Sequence, residues 1–170
     1  MRPPTPTKRL SYRPLERSDA PALHAVWGDP EVMRYLPSEP SPSVSETAER
    51  VERHVSRFAE TGYGLCAVVE REDGRVVGTC GLFPVEWVGP EVEVAYHFAR
   101  EVWNRGYATE AAGAWVDAAF DQLDLGRVVA LAYPANRAST RVMEKIGMAF
   151  DREVDKYGER LVQYAIERRA

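Results

Sequence analysis

A short basic turn near the middle of the chain has the residue types of an anion-binding site. It runs from Asn104 to Thr109 and reads N-R-G-Y-A-T. Gly106 has no Cβ, so a negatively charged oxygen can approach the main chain closely, and the small Ala108 keeps that approach open. Arg105 adds a fixed positive charge. If a helix begins here, its first backbone N–H groups lack intrahelical partners and can bind an anion. Alternatively, Gly106 simply makes the turn before the helix.

The segments on either side of this turn have the periodicities of a strand and a helix. Residues 91–98 alternate between Val92, Val94, Tyr96 and Phe98 on one face and Glu91, Glu93, Ala95 and His97 on the other. After the turn, apolar residues recur at helical spacing, which predicts a helix over Thr109–Leu123. Glu110 lies in its first turn, where a carboxylate suits the helix dipole but would repel a bound diphosphate. We therefore expect Glu110 to point away from any ligand.

The string from Trp103 to Ala111, W-N-R-G-Y-A-T-E-A, resembles the coenzyme A pyrophosphate loop of the GNAT N-acetyltransferases. It is most similar to the branch that includes the ribosomal-protein N-terminal acetyltransferases. The superfamily pattern is Gln/Arg-x-x-Gly-x-Gly/Ala; Gly106 and Ala108 match it, whereas Trp103 stands at the Gln/Arg position, a departure associated with that branch. The resemblance implies that six residues bind the cofactor here: Asn104, Arg105, Gly106, Tyr107, Ala108 and Thr109.

A second string, from Asn136 to Met148, resembles the next signature of the same family at the expected distance. In that family the asparagine contacts the pantetheine arm, which implies cofactor binding by Asn136. Many members have a thiolate-protonating tyrosine where this chain has Met143. In the ribosomal-protein branch, a serine at the Ser139 position is implicated in that role instead. The plain structural alternatives are that Asn136 caps a helix and that Ser139 packs in its first turn.

The remaining segments predict a single α+β domain. We expect strands at residues 8–14, 63–71, 75–85, 91–99, 127–133, 149–156 and 160–168, with helices at 18–28, 43–62, 109–123 and 136–147. The strand–helix–strand crossover predicts parallel neighbours. The resemblance to the GNAT family extends from residue 8 onward. It implies a GNAT-like mixed, strongly twisted sheet of six to seven strands with helices on both faces. Residues 1–7 are predicted to be a flexible tail and residues 8–170 the domain.

Acetyl transfer to an amine requires a group that accepts the amine proton. Glu93, on the strand before the turn, is the leading candidate for this base, and Glu91 on the same face is a weaker one. His97 is a further candidate, because it has an ordinary pKa of about 6.5 and lies beside the expected thioester. The structural alternatives are that Glu93 is an exposed strand carboxylate and that His97 is a structural strand histidine. A backbone N–H in the cofactor-binding stretch of Tyr96, His97 and Phe98 can stabilise the developing oxyanion. Catalytic roles are thus predicted for Glu93 and Ser139.

Composition limits the classes of function. The chain has 170 residues and a formal net charge of −4, which gives no sign of nucleic-acid binding. No apolar run is long enough for a membrane span and no secretory leader follows Met1, so we expect a cytoplasmic protein. A two-residue turn at Asp73-Gly74 would set Cys66 opposite Gly81 and Cys80 opposite Ala67, on opposite faces of the sheet, which predicts free thiols. The excess of acidic over basic residues mildly favours a cationic acceptor.

These observations predict an acetyl-CoA-dependent N-acetyltransferase that needs no metal. Its acceptor would be a primary amine, either a protein N-terminus or a small molecule, and transfer would be direct within a ternary complex. We expect a monomer or a homodimer. One alternative is a regulatory module that binds acyl-CoA without catalysis, and another is a structural or partner-binding domain with no affinity for coenzyme A.

Overall fold

The alternating, valine-rich segments form the strands of one sheet in the computed structural model of the protein, which describes residues 1–168. The strands are β1 (Leu10–Pro14), β2 (Leu65–Glu70), β3 (Val76–Pro84), β4 (Val92–Phe98), β5 (Arg127–Ala132), β6 (Ala149–Lys156) and β7 (Glu159–Glu167). The helices are α1 (Ala20–Trp27), α2 (Pro30–Met33), α3 (Val44–Thr61), α4 (Tyr107–Leu123) and α5 (Arg137–Lys145). Residues 169 and 170 of the predicted domain lie outside the described residues.

The sheet is mixed, with strand order β1-β2-β3-β4-β5-β7-β6. Only the central pair, β4 and β5, is parallel, as the crossover through α4 requires. Their pairing is confined to Glu93 opposite Val129, whereas the antiparallel pairs on both sides have long registers. The α+β fold with seven strands is therefore confirmed, and it contains a gap where β4 and β5 separate.

Helices cover both faces of the sheet, and each face has its own apolar core. The core under α4 contains Trp115 and Val116 together with Leu10 and Phe98 from the strands. The core on the other face contains Trp27 of α1 and Val51 of α3 packed against Leu65 and Phe83. The cores fix the positions of α1, α3 and α4 relative to the middle of the sheet.

Local capping residues set the helix ends. The Ser43 hydroxyl accepts the N–H of Glu46 at 3.2 Å at the start of α3, and Gly62 ends that helix in the left-handed region with φ 79°. Helix α4 begins at Tyr107, two residues earlier than predicted. Gly106 occupies the position before it, also with φ 79°. A residue with a side chain is strained in that conformation, so glycine is favoured there.

The predicted register of the β2–β3 hairpin was wrong by one residue. Cys66 lies opposite Cys80, and both thiols are free and buried in the core under α4. The turn is longer than the predicted two residues, because the Glu70 N–H donates to Arg75 O at 2.8 Å and Val69 pairs with Val76, which shifts the register by two. An extra residue in β3, Val77, forms a bulge between the Val69–Val76 and Val68–Gly78 pairs and restores one of the two. The cysteines therefore share a face of the sheet, contrary to the prediction, and both remain thiols, as predicted.

Residues 1–7 contain no helix or strand but make several contacts with the domain. The N–H of Arg2 donates to Gln122 Oε1 at 3.0 Å. The Thr7 hydroxyl donates to Glu110 Oε1 at 2.6 Å, and Pro4 is buried. The flexibility predicted for this segment stays a prediction.

Candidate active site

The turn before α4 presents unpaired backbone N–H groups. Gly106 O accepts the N–H of Glu110 at 3.0 Å, and this is the first bond of the helix. Within residues 1–168, no side chain caps this end. The N–H groups of Tyr107, Ala108 and Thr109 are therefore left for a ligand by the geometry of the helix. Asn104, Arg105 and Gly106 are exposed, and the turn has the form of an anion site.

The carboxylate of Glu110 points away from this turn, as its sequence position led us to expect. It accepts hydrogen bonds from the Thr7 hydroxyl, from the Arg9 N–H at 2.9 Å and from Arg9 Nε at 2.7 Å. These bonds lower the pKa of Glu110 despite the opposing effect of its burial. Arg9 also donates to Arg105 O at 2.7 Å, so the same guanidinium holds the turn in place.

The buried side chain of Tyr107 anchors the turn from below. Its hydroxyl donates to Glu70, and the Arg9 guanidinium lies 4.6 Å from the centroid of its ring. Tyr107 can therefore offer a ligand only its backbone N–H. Of the six residues predicted to bind the diphosphate, the structure brings all six together at the start of α4.

A cavity of about 530 Å³ opens where β4 and β5 separate. Its walls come from α1, from the loop that follows α2, from α3, from the diverging ends of β4 and β5, from α5 and from the β6–β7 hairpin. Among the predicted site residues, five line it: Glu93, Tyr96, His97, Asn136 and Ser139. Phe98 does not, because its side chain is buried in the core under α4.

The gap between the strands also frees backbone donors of β4. The Ala99 N–H donates to Val77 O at 3.0 Å, on the β3 side. Because successive residues of a strand direct their N–H groups to opposite edges, the N–H groups of Phe98 and Tyr96 point to the β5 side. The described pairing with β5 stops at Glu93, so the Tyr96 N–H faces the cavity edge.

Glu93 is a buried carboxyl group in the wall of this cavity, with 5% of its surface exposed. Burial raises its pKa from the ordinary 4.5 to about 7, and a hydrogen bond from the Tyr157 hydroxyl partly opposes this rise. The alternative of an exposed strand carboxylate is thus wrong. Glu91 lies elsewhere: its carboxylate is 3.2 Å from an Arg152 nitrogen and accepts Gln163 Nε2 at 3.2 Å.

Tyr157 was missed by the sequence analysis, which placed it only in a hairpin turn. Its hydroxyl donates to Glu93 and accepts the N–H of Glu86 at 2.9 Å, and its own N–H donates to Glu86 Oε1 at 3.0 Å. Lys156 Nζ lies 2.9 Å from Glu86 Oε2. The β6–β7 hairpin thereby orients the Glu93 carboxyl group. The only signal in the sequence was an aromatic residue beside Gly158, which a hairpin turn also explains.

Two histidines beside the cavity are held neutral. Nδ1 of His97 lies 3.3 Å from Trp27 Nε1, which donates to it, and burial lowers the pKa of His97 to about 4. His54 stacks on Trp27 with ring centroids 5.4 Å apart. Burial, followed by nearby positive charge, lowers the pKa of His54 to about 3. The ordinary pKa assumed for His97 was therefore wrong, and its imidazole is a weak base in this site.

On the opposite wall, α5 and β4 are joined through hydroxyl groups. Tyr96 Oη lies 3.0 Å from Ser139 Oγ and donates to Ser139 O at 3.1 Å. Asn136 Oδ1 accepts the N–H of Ser139 at 3.2 Å, so Asn136 caps α5 as the structural alternative required. Met143 is buried beneath them. A phenolic and an aliphatic hydroxyl thus meet at the cavity edge.

Part of the charged face of α3 lies in the cavity wall, although a helical face with charges of both signs is usually solvated. Arg50, Arg53 and Arg57 line the cavity. Arg50 is half-buried, with its guanidinium 5.6 Å from the Trp27 ring, and the Arg57 guanidinium lies 4.0 Å from the Trp87 ring. Two of the three therefore rest on aromatic rings of the cavity wall.

The fold and the cavity define an acyltransferase of the GNAT type, and comparisons with known proteins agree. Residues 9–149 match the family model described as an acetyltransferase (GNAT) domain. The chain is 34% identical over 162 residues to YkkB of Bacillus subtilis (strain 168), covering 93% of this chain and 92% of that protein. This chain therefore belongs to the GNAT acetyltransferase family, whose members use acetyl-CoA.

Two further similarities concern an enzyme and a solved structure. The spermidine N(1)-acetyltransferase of Escherichia coli (strain K12) is 28% identical over 145 residues, covering 85% of this chain and 75% of that enzyme. The crystal structure of an acetyltransferase from Agrobacterium tumefaciens str. C58 superposes with a TM-score of 0.83 at 28% identity, over 99% of this chain and 96% of that one.

Two kinds of feature are absent from residues 1–168. No group of three or more His, Cys, Asp and Glu side chains is arranged to hold a metal ion. None of the described helices combines the length and the apolar character of a membrane span.

Proposed function

We propose that this protein transfers an acetyl group from acetyl-CoA to a primary amine, directly and within a ternary complex, with Glu93 as the general base. The observation that carries the proposal is the buried Glu93 carboxyl group, whose pKa of about 7 suits proton transfer near neutral pH. It stands in a cavity that also reaches Tyr96, Asn136 and Ser139. Family membership supplies the donor.

The turn before α4 would hold the diphosphate of the donor. The N–H groups of Tyr107, Ala108 and Thr109 offer hydrogen bonds, Gly106 allows close approach, and Arg105 and Asn104 flank the site. Asn136, at the start of α5, would contact the pantetheine arm. Binding the distant diphosphate in this way would align the thioester beside β4, and such alignment can contribute several kcal/mol to catalysis.

Glu93 would accept the proton of the attacking amine, so that the neutral nitrogen can form its bond to the acetyl carbon. The backbone N–H of Tyr96 would stabilise the negative charge that develops on the acetyl oxygen, with Phe98 and His97 shaping the strand around it; losing such a donor costs roughly 10²–10³ in rate. The hydroxyls of Ser139 and Tyr96 are near enough to each other to relay a proton to the departing thiolate.

Direct transfer is supported by the state of the cysteines. Burial raises the pKa of Cys66 to about 12 and raises that of Cys80 as well. Neither thiol is therefore available as the thiolate that an acetyl-cysteine route requires.

Acetyl-CoA carrying a labelled acetyl group, mixed with a panel of amines, tests the proposal. We expect labelled product with at least one acceptor among N-terminal peptides, polyamines, amino acids and aminoglycosides. The relative named a spermidine acetyltransferase makes polyamines one arm of that panel, and the resemblance to the ribosomal-protein branch makes peptides another. Donor binding without any turnover would support the regulatory module instead, and absence of donor binding would exclude both. The cytoplasmic location and the oligomeric state stay predictions.

A further inference from the structure

Three arginines of α3 give one wall of the cavity a positive lining. Arg50, Arg53 and Arg57 follow at i, i+3 and i+7, which places them along one face of the helix. Within the described part of the chain, none of the three forms an ion pair with a carboxylate. The other arginine beside this helix behaves differently, because Arg17 pairs with Glu52 on the exposed side.

The clustering of these three guanidinium groups is energetically unfavourable for the folded protein. Burial and the neighbouring Arg53 lower the pKa of Arg50. The guanidinium of Arg50 donates to Glu39 O at 2.9 Å, a neutral partner that leaves its charge uncompensated. The histidine between them, His54, is neutral and adds no charge of its own. A cluster of cations without counter-ions is destabilising by itself.

The remaining charges of the cavity lie elsewhere on its wall. Glu93 of β4 and Glu159 of the β6–β7 hairpin are the acidic residues among the lining side chains. Glu93 is engaged by Tyr157, and Glu159 is exposed at the rim. Arg50 and Arg57 lie instead over the rings of Trp27 and Trp87. Phe83 and Trp87 stack with centroids 4.7 Å apart.

We propose that α3 supplies an anion subsite, so that the preferred acceptor is a small amine carrying a carboxylate or phosphate group beyond an apolar or planar body. The inference rests on the proposed acetyl transfer and assigns its acceptor class. The amine would face Glu93, the body would lie against the aromatic rings, and the anion would meet the guanidinium groups, whose planar N–H pairs bind carboxylate and phosphate in two-point contact. A polyamine would instead meet repulsion there.

The acidic net charge of the whole chain pointed towards a cationic acceptor, and the local arrangement outweighs it. Net charge acts at long range and is screened over about 8 Å at physiological salt. The arginines line the cavity itself, so they would act on a bound acceptor at short range. Selectivity among amine acceptors should therefore be set by the charge of the cavity lining and not by the net charge of the chain.

Matched acceptor pairs provide the test. We expect kcat/KM with acetyl-CoA to be about 10–100 times higher for para-(aminomethyl)benzoate than for benzylamine, since one charged hydrogen-bonding group is worth that factor. O-phosphoethanolamine against ethanolamine separates phosphate from carboxylate selectivity. Spermidine should be a poor acceptor.

Substitutions of the α3 arginines test whether these residues cause the preference for anionic acceptors. In the double variant Arg53→Gln with Arg57→Gln, both exposed positions, the preference for the anionic partner should fall towards unity, because the rate with para-(aminomethyl)benzoate should fall more than the rate with benzylamine. Arg57→Lys should keep part of the preference, and Arg57→Glu should shift it towards spermidine. Arg17→Gln, which removes the same charge outside the cavity, should leave the preference intact.

Failure of the inference is distinguishable from failure of the proposed function. If the protein acetylates neutral or cationic amines as well as anionic ones, or if the Arg53/Arg57 variant keeps its preference, the anion subsite is refuted while acetyl transfer stands. If no amine of any charge is acetylated although the donor binds, acetyl transfer itself is refuted.

Discussion

Replacing Glu93 with glutamine should inactivate the protein and at the same time stabilise it at alkaline pH. Glutamine keeps the shape of the side chain, and its amide oxygen can still accept the Tyr157 hydroxyl, but it cannot take a proton from the amine. Removing a general base of this kind typically costs about 10²–10⁴ in kcat. The wild-type rate should rise with pH through an apparent pKa of about 7, and the variant should lack that rise.

The stability change follows from the same pKa. Since the folded pKa is raised from 4.5 to about 7, the folded protein binds this proton more tightly than the unfolded chain. The free energy of unfolding therefore falls as the pH rises through that window, by about 3 kcal/mol for this single group. A neutral glutamine avoids the penalty. Above pH 7 we expect Glu93→Gln to be more stable than the wild type by up to about 3 kcal/mol, less any loss in hydrogen bonding.

The assay combines kinetics and denaturation on one pair of variants. Rates are measured between pH 6 and pH 9 with saturating acetyl-CoA, and urea unfolding is measured at pH 5 and at pH 8. Glu91→Gln is the matched control, because Glu91 is tied to arginines outside the cavity. If Glu93→Gln keeps the wild-type rate, the role as base is refuted. If it is less stable than the wild type at pH 8, the burial penalty is refuted.

Two further predictions concern the neighbours of the site. Tyr157→Phe removes a hydrogen bond that lowers the pKa of Glu93, so the rising limb of the pH–rate profile should move to higher pH; an unmoved limb would show that Tyr157 does not act on Glu93. Glu110→Gln should lower the free energy of unfolding at pH 7 by about 1–3 kcal/mol, through its bonds to Thr7 and Arg9. Because the pKa of Glu110 is lowered, this difference should be present above pH 4.5 and fade as the pH falls further, and a difference that persists in acid would contradict the assignment.

Periodicity and capping residues were sufficient to predict most of the fold. Each of the predicted strands and main helices is present, because alternation, Ser43, Gly62 and Asn136 act over a few neighbouring residues. The β2–β3 register was wrong because the turn is longer than two residues, and because the bulge at Val77, which restores one residue of the shift, leaves no local signal in a valine-rich strand. Its consequence, the pairing of Cys66 with Cys80, could not be read from spacing.

The site was predictable where a backbone turn defines it and unpredictable where distant segments meet. The residues from Asn104 to Thr109 are adjacent in sequence, and they form one turn. Glu93 is buried where the β6–β7 hairpin meets β4, and its contact with Tyr157 spans 64 residues. A helical face with charges of both signs, such as that of α3, is usually exposed, whereas here Arg50 is half-buried in the cavity wall.

Titration calorimetry of coenzyme A against a Gly106→Asp variant tests the central claim most directly, namely that the N–H groups opening α4 bind the diphosphate. Aspartate adopts the left-handed conformation of Gly106 at a lower cost than most residues with a side chain, and it would place a carboxylate beside the anion site. Gly74→Asp is the matched control, with φ 73° and open space around it. We predict tight binding by the wild type and the control, and at least a 100-fold loss in a folded Gly106→Asp protein. Unchanged affinity in that variant would contradict the account.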